Sequence, residues 1–335
     1  MKEALFYHAR GMEVICELCM HQCRIKPDRR GICGVRENRD GKLVSLVYGR
    51  IAAEQIDPVE KKPLFHFLPG TRTYSISTTG CNFKCLHCQN YALSQVDSAY
   101  GQAGYVRRSP VEVAQAAASG GCKSISYTYV EPTVFFEFAY DCSIAAKDIG
   151  LRNIFVSNGY MGAEAARVLI PVLDAINIDI KSFRDEFYRK VCGARLHQVL
   201  ENVKFFHQQG VWVEVTTLLI PGMNDSDEEI RAIAEFIVTV NPDIPWHISG
   251  FRPMYRMLDR PPTRPAQLQN ARSIGLRAGV NHVYVGNVRD GKGEGTLCPV
   301  CRETVISRYG FTVTQDRLAA GACFSCGSRI AGIWA

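Results

Sequence analysis

The middle of the chain alternates short apolar runs with longer stretches of helical character. Seven compact runs rich in β-branched and aromatic residues stand at 73–79, 124–129, 153–157, 175–180, 212–220, 246–251 and 282–285. Such runs are expected of parallel strands buried on both faces. The segments between them carry helix signals. Ser109-Pro110-Val111-Glu112 offers an N-cap, a proline at the first helical position and a capping-box glutamate. Ser226-Asp227-Glu228-Glu229 repeats that spacing, and Gly210 and Gly279 stand where helices should stop, each just before an apolar run. The pattern predicts about six βα units. The fold class is therefore α/β, a partial (β/α)6-type TIM barrel over 71–290. A cysteine-rich N-terminal segment and lead-in occupies 1–70, and a zinc-ribbon-like tail 291–335. The chain carries no internal repeat or low-complexity segment.

Composition narrows the class. At 335 residues, 47% hydrophobic and 21% charged, this is a globular chain long enough to bury a full core. The net charge of +6 is a mild bias with no basic arm or tail, so nucleic acid is not indicated. A phosphate or an acidic partner protein suits the same bias. No apolar run approaches the roughly 18 residues needed to span a bilayer, and residues 1–10 contain no signal-peptide core. The expectation is a cytoplasmic protein without a membrane partner.

The 14 cysteines change the picture most. In a chain this long, short Cys-x2-Cys spacings mean metal or cluster ligands, held free as thiolates in a reducing compartment. The run at 73–79 leads into Gly80-Cys81-Asn82-Phe83-Lys84-Cys85-Leu86-His87-Cys88, a Cys-x3-Cys-x2-Cys loop at the C-terminal end of a strand. Barrel active sites sit there. Three thiolates leave one iron of a four-iron cluster without a protein ligand, whereas an ordinary electron-transfer cluster takes four cysteines. The alternative is a zinc site completed by His87. At the other end, Cys298/Cys301 and Cys323/Cys326 form two Cys-x2-Cys knuckles 21 residues apart, a zinc-ribbon signal that a rubredoxin-like iron also satisfies. Metal binding is expected to fold this tail, whose apolar content is too low for a core of its own. The N-terminal group, Cys16, Cys19, Cys23 and Cys33, suits zinc or an auxiliary iron–sulfur cluster, and zinc is the preferred reading. Cys122, Cys142 and Cys192 read as buried core thiols, with Cys192 also a candidate to face the active site.

The cluster loop resembles that of the radical S-adenosylmethionine (SAM) superfamily. The wider chain is similar to its pyruvate formate-lyase-activating-enzyme-like branch, and within it to the AmmeMemoRadiSam radical SAM group. The likeness runs through Cys16-Glu17-Leu18-Cys19-Met20-His21-Gln22-Cys23, Gly31-Ile32-Cys33-Gly34-Val35-Arg36, the cluster loop, and Trp246-His247-Ile248 through Phe251-Arg252-Pro253. Met20 stands where proline is expected. The resemblance implies a [4Fe–4S] cluster on Cys81, Cys85 and Cys88 that cleaves SAM to a 5′-deoxyadenosyl radical, which abstracts hydrogen from a substrate. It implies that Glu131 binds the SAM ammonium, although Tyr129 and Val130 replace the two glycines of the Gly-Gly-Glu-Pro segment. Ser157 and Asn158 become SAM contacts, Lys181 pairs with the SAM carboxylate and His247 lies near the ribose. His87 counts among the cofactor-facing residues. Asp179 helps hold a cation in that family, but here Val156 replaces the first aspartate of that site. Beside these stand plainer readings: a helix cap for Glu131, an Asp179–Lys181 salt bridge, a turn at Asn158-Gly159 and a core histidine at 247. The resemblance further implies a flavodoxin- or ferredoxin-type electron donor, AmmeC-type and Memo-type co-workers, and a protein or peptide substrate. A small metabolite, or an RNA, is the alternative substrate.

Overall fold

The computed structural model describes residues 1–95, 104–287 and 293–335. Eight strands form one sheet: β1 Ala53–Pro58, β2 Arg72–Ser77, β3 Ser124–Tyr127, β4 Arg152–Ser157, β5 Ala175–Asp179, β6 Trp212–Leu219, β7 Trp246–Gly250 and β8 Val283–Gly286. Their spatial order is their chain order, and β2 to β8 run parallel. The longer helices between them are α1 Pro110–Ser119, α2 Phe136–Asp148, α3 Ala163–Leu169, α4 Leu196–Gln208, α5 Asp227–Val240 and α6 Pro265–Arg277.

All seven apolar runs are strands, and with α1 to α6 between them they make the six expected βα units and a closing strand. The eighth strand, β1, escaped the apolar pattern. It pairs antiparallel with β2, Ala53 opposite Ser77, and as the edge strand it needs no continuous apolar run: its residues read Ala-Glu-Gln-Ile-Asp-Pro. Among the described residues β1 and β8 do not pair with each other, so the barrel is open. The sheet thus begins at Ala53, and the boundary expected at 290–291 lies outside the described residues.

Local signals decide the helix ends. Ser109 Oγ accepts from the Glu112 amide at 3.3 Å, and Glu112 accepts from the Ser109 amide at 2.6 Å, a complete capping box. Ser226 caps α5 through the Glu229 amide at 3.3 Å, but the Glu229 carboxylate turns away to the Phe183 amide and Arg184, leaving half a box. Gly210 and Gly279 adopt φ of +80° and +105° just after α4 and α6.

The ends of the chain are small β modules docked on this sheet. The first 45 residues form two three-stranded antiparallel sheets. The tail forms a three-stranded sheet, Thr296–Leu297, Thr304–Tyr309 and Thr312–Asp316, with a short hairpin after it. Contrary to expectation, the tail has an apolar cluster of its own: Val305, Ile306 and Ile330 pack with Cys298 and Cys323. Among the described residues no helix is long and apolar enough to cross a membrane.

Candidate active site

The parallel register brings the C-terminal ends of the strands to one rim: Ser157 stands opposite Ile178, and Asp179 opposite Thr216. The loop after β2 crosses this rim carrying Cys81, Cys85 and Cys88. All three line one cavity of about 480 Å³ together with His87, Glu131, Ser157, Asn158, Asp179, Lys181 and His247. Residues separated by 166 positions along the chain thus converge on one space, from Cys81 to His247.

The loop itself is clamped from behind. The Lys84 amide donates to the Cys192 carbonyl at 2.8 Å and the Leu86 amide to the Val191 carbonyl at 3.0 Å. Cys192 is fully buried against Cys85, and its thiol hydrogen bond, with burial, pushes the Cys85 thiol well up. It supports the loop and does not line the cavity. Cys122 and Cys142 are buried in the core.

The donor set fits a multi-iron cluster better than a single ion. A zinc–thiolate bond of about 2.3 Å keeps any two sulfurs on one ion within about 4.6 Å. Among the described residues, the one group of three or more potential ligands with all ligand atoms within 4.8 Å is Cys298, Cys301, Cys323 and Cys326. His87 therefore does not complete a mononuclear site with the loop cysteines. Its ring is buried, and burial together with Lys181 pushes it down to about 3, so the imidazole is neutral. Its Nδ1 lacks a hydrogen-bond partner among the described residues.

Glu131 is 3% exposed, and four hydrogen bonds converge on it. Oε1 accepts from the Thr133 amide at 3.1 Å, the Thr133 hydroxyl at 2.6 Å and Ser157 Oγ at 2.8 Å. Among the described residues Oε2 accepts from the Asn158 amide alone, at 2.7 Å, which leaves it one acceptor position. Burial raises its pKa and these bonds oppose the rise. Glu131 thus caps the turn at Pro132–Phe135 and lines the cavity at once. Tyr129 sits at φ +64°. That strain, about 1 kcal/mol, is held by its side chain: the hydroxyl donates to Asp57 Oδ2 at 2.6 Å, and the Lys62 ammonium lies 4.7 Å above the ring.

Lys181 Nζ meets Asp179 Oδ2 at 3.0 Å, so the plain ion pair is formed, inside the cavity wall. Burial opposes the Lys181 charge, but Asp179, Cys85 and Cys192 hold its pKa well above the ordinary range. His247 Nε2 meets Glu214 Oε2 at 2.6 Å. Glu214 is fully buried and is itself fixed by the Phe65 and His66 amides at 3.0 and 2.8 Å. His247 is a core-anchored histidine whose other surface faces the cavity.

Sequence reading passed over Lys62, Glu60, Glu214 and Phe311. Lys62 is 2% exposed, pairs with Asp57 Oδ2 at 2.7 Å and is pushed down to about 8 by burial. Lys62 and Glu60 arrive from the loop after β1, and Phe311 from the tail module. The signal available was the charged Glu60-Lys61-Lys62 run just before an apolar segment, which reads equally as a solvated turn.

Comparison with known proteins places the chain in a family. The family model described as the radical SAM superfamily matches residues 75–237. An uncharacterized protein of Methanocaldococcus jannaschii is 42% identical over 334 residues, covering 98% of this chain and 99% of that one. The pyruvate formate-lyase 1-activating enzyme of Escherichia coli K12 is 27% identical over 163 residues, 47% of this chain and 65% of that enzyme. Among solved structures, Streptococcus suis SuiB bound to its precursor peptide SuiA matches with a TM-score of 0.51 at 14% identity, over 68% of this chain and 51% of that one, a likeness of fold. The radical SAM family match and the likeness to the activating enzymes make the protein a radical SAM enzyme similar to the pyruvate formate-lyase-activating enzymes.

Proposed function

We propose that this radical SAM enzyme takes hydrogen from a protein or peptide. The observation that carries the reading is the open side of the sheet. The cavity wall runs on past the cysteine loop to Lys62, Pro63 and Phe65 near one edge and to Asn287 and Phe311 near the other, leaving room for a polypeptide loop to enter. The similarity to an enzyme named for activating another enzyme agrees with it.

On this reading Cys81, Cys85 and Cys88 hold the [4Fe–4S] cluster. With SAM bound, that cluster supplies reductive cleavage of SAM and a 5′-deoxyadenosyl radical, the electron coming from a flavodoxin- or ferredoxin-type protein. The chain's own residues orient the cofactor. The open acceptor position on Glu131 Oε2 suits the SAM ammonium, and Lys181 the SAM carboxylate, with Asp179 keeping the lysine charged and aimed. Ser157 and Asn158 hold Glu131 in place, while Glu214 presents His247 toward the ribose. His87, neutral and buried between two of the cysteines, excludes water from the loop. The cysteine knuckles of the tail hold a zinc ion. The chain then works as three parts: the N-terminal β modules, the radical SAM sheet and helices from Ala53 onward, and the metal-bound module from Thr296 onward.

Transfer of deuterium into 5′-deoxyadenosine tests the substrate class. The enzyme, SAM and reductant are incubated with fractions of a deuterated cell extract. Label that depends on the high-molecular-weight fraction and vanishes after protease treatment is expected. Label from the low-molecular-weight filtrate means a metabolite, and label lost to ribonuclease means an RNA; either sinks the protein-substrate reading.

A further inference from the structure

The three cysteine groups of this chain form an internal comparison. In the tail, Cys298 and Cys326 sulfurs stand 3.6 Å apart, as do those of Cys301 and Cys323. A tetrahedral zinc with bonds of about 2.3 Å has sulfur–sulfur edges of about 3.8 Å, so this foursome has the size of a single-ion site. The loop cysteines, which belong to a cluster-binding family, stand wider than 4.8 Å as a set. The N-terminal foursome behaves like the loop. Cys16, Cys19, Cys23 and Cys33 all line one cavity, yet among the described residues no three of their sulfurs lie mutually within 4.8 Å. One ion cannot reach sulfurs more than about 4.6 Å apart.

The wall of that cavity expects an acceptor. Arg36 lines it and is 1% exposed; its Nε has no hydrogen-bond partner among the described residues. Asn82, 1% exposed, lines the same cavity with its Nδ2 equally unpartnered among the described residues. Leaving such buried donors unmade costs about 1–3 kcal/mol each. Sulfide and thiolate sulfurs of a metal cluster are acceptors, and they carry the negative charge that a buried guanidinium matches.

The segment is built into the enzyme and does not hang from it. Gly80, immediately before Cys81, has φ +94°, and a Cβ there would meet Val35 Cγ1 at 2.5 Å and the Cys33 carbonyl at 2.8 Å. His21 Nε2 donates to the Asn82 carbonyl at 2.8 Å, and Asn82 Oδ1 accepts from Asn158 Nδ2 at 2.8 Å. The Met20 amide donates to Tyr160 and the Gly162 amide to Leu18, at 3.1 and 2.9 Å. Asn82 therefore belongs to both the cluster loop and the wall of the N-terminal cavity.

We propose that Cys16, Cys19, Cys23 and Cys33 hold a second four-iron, four-sulfide cluster directly behind the radical SAM loop, with Arg36 and Asn82 donating hydrogen bonds to its sulfurs. This differs from zinc, the reading that spacing alone preferred. Acid-labile sulfide separates the possibilities, because neither zinc nor a rubredoxin-type iron contains it. The full-length Cys81→Ala/Cys85→Ala/Cys88→Ala variant, reconstituted anaerobically with iron and sulfide, lacks the first site and leaves the N-terminal segment untouched. It is expected to retain about four sulfides and at least about four irons per chain, and to give a half-integer-spin resonance on reduction. Adding Cys33→Ser should remove the sulfide and that signal. A triple variant free of sulfide that carries about two zinc ions per chain overturns the proposal. The triple variant alone decides it if the quadruple variant fails to fold.

Discussion

A buried arginine helps tie each end of the chain to the rest of the fold, and the two arginines are used differently. Arg308, in the tail, has a fully buried side chain that donates to the Phe65 carbonyl at 2.6 Å and to Thr296 Oγ1 at 2.7 Å. Its guanidinium lies 4.3 Å over the Phe65 ring and 3.7 Å from Glu60 Oε1. Arg36, in the N-terminal segment, pairs with Glu137 at 3.0 Å, donates to the Leu5 carbonyl and lines the cavity of four cysteines; the Nε of either arginine has no hydrogen-bond partner among the described residues. What separates the two is place: Arg308 is enclosed by Phe65, Glu60 and Thr296, while Arg36 lines the cavity of four cysteines. The lesson is that four cysteines at either end do not make equivalent sites. The tight foursome closes on itself, while the wide one leaves donors around it that need a larger occupant.

The comparison breaks first on metal content. In full-length protein with the radical SAM loop intact, Cys323→Ser is expected to lower zinc by about one ion per chain and leave sulfide unchanged, since a tetrahedral site needs all four thiolates. Cys33→Ser is expected to lower sulfide by about four per chain and leave zinc unchanged. Metal and sulfide analysis of the two variants side by side checks this; equal zinc loss in both erases the distinction.

Docking comes next. Arg308→Met removes the partner of buried Glu60 and should destabilise the protein by about 3–5 kcal/mol. The expected reading is a lower denaturant midpoint with an unchanged slope, zinc still bound. A midpoint within error of wild type would mean that the tail is not held by this ion pair.

A smaller effect is expected at a site belonging to neither end. Glu131→Gln and Lys181→Met each lose a charge-assisted hydrogen bond of about 1.5–3 kcal/mol, so SAM should bind roughly ten- to a hundredfold more weakly in both. Sulfide and zinc should stay as in wild type. Equal affinities at matched cluster content would return Glu131 to a helix cap and Lys181 to a plain ion pair.

The smallest expected effect is a pH dependence. His282 is 3% exposed and burial pushes it down to about 4. The unfolded histidine, near 6.5, binds a proton that the folded one refuses, so stability is lost as pH falls from about 6.5 toward 4. Between pH 7 and 5.5 this amounts to about 1 kcal/mol. His282→Asn should flatten that slope in urea titrations at the two pH values, and an unchanged slope would assign it to other groups.

How much of this was legible beforehand depends on distance along the chain. The cysteine loop, the knuckles, the capping box at Ser109 and the seven apolar strands were all readable, because each is a pattern within a dozen residues. Strand β1 was not, since an edge strand carries no apolar run, and neither was the open barrel, which depends on where the sheet's edges end up. At Glu131 the sequence offered a cap or a cofactor ligand as alternatives; the structure makes the cap and leaves one oxygen position facing the cavity. At the N-terminal cysteines, spacing permitted zinc or a cluster, and the separation of the sulfurs in space is what favours the proposed cluster.

The sequence by itself therefore determined the chemistry of the loop and the order of the strands, because local spacing and periodicity encode ligand number and burial. Tertiary structure decided which residues share a cavity and which charges are matched. Arg308 meets Phe65 across 243 residues and Glu214 meets the same residue across 149. Contacts that distant leave no period in the chain, because they depend on how the sheet brings its edges and ends together.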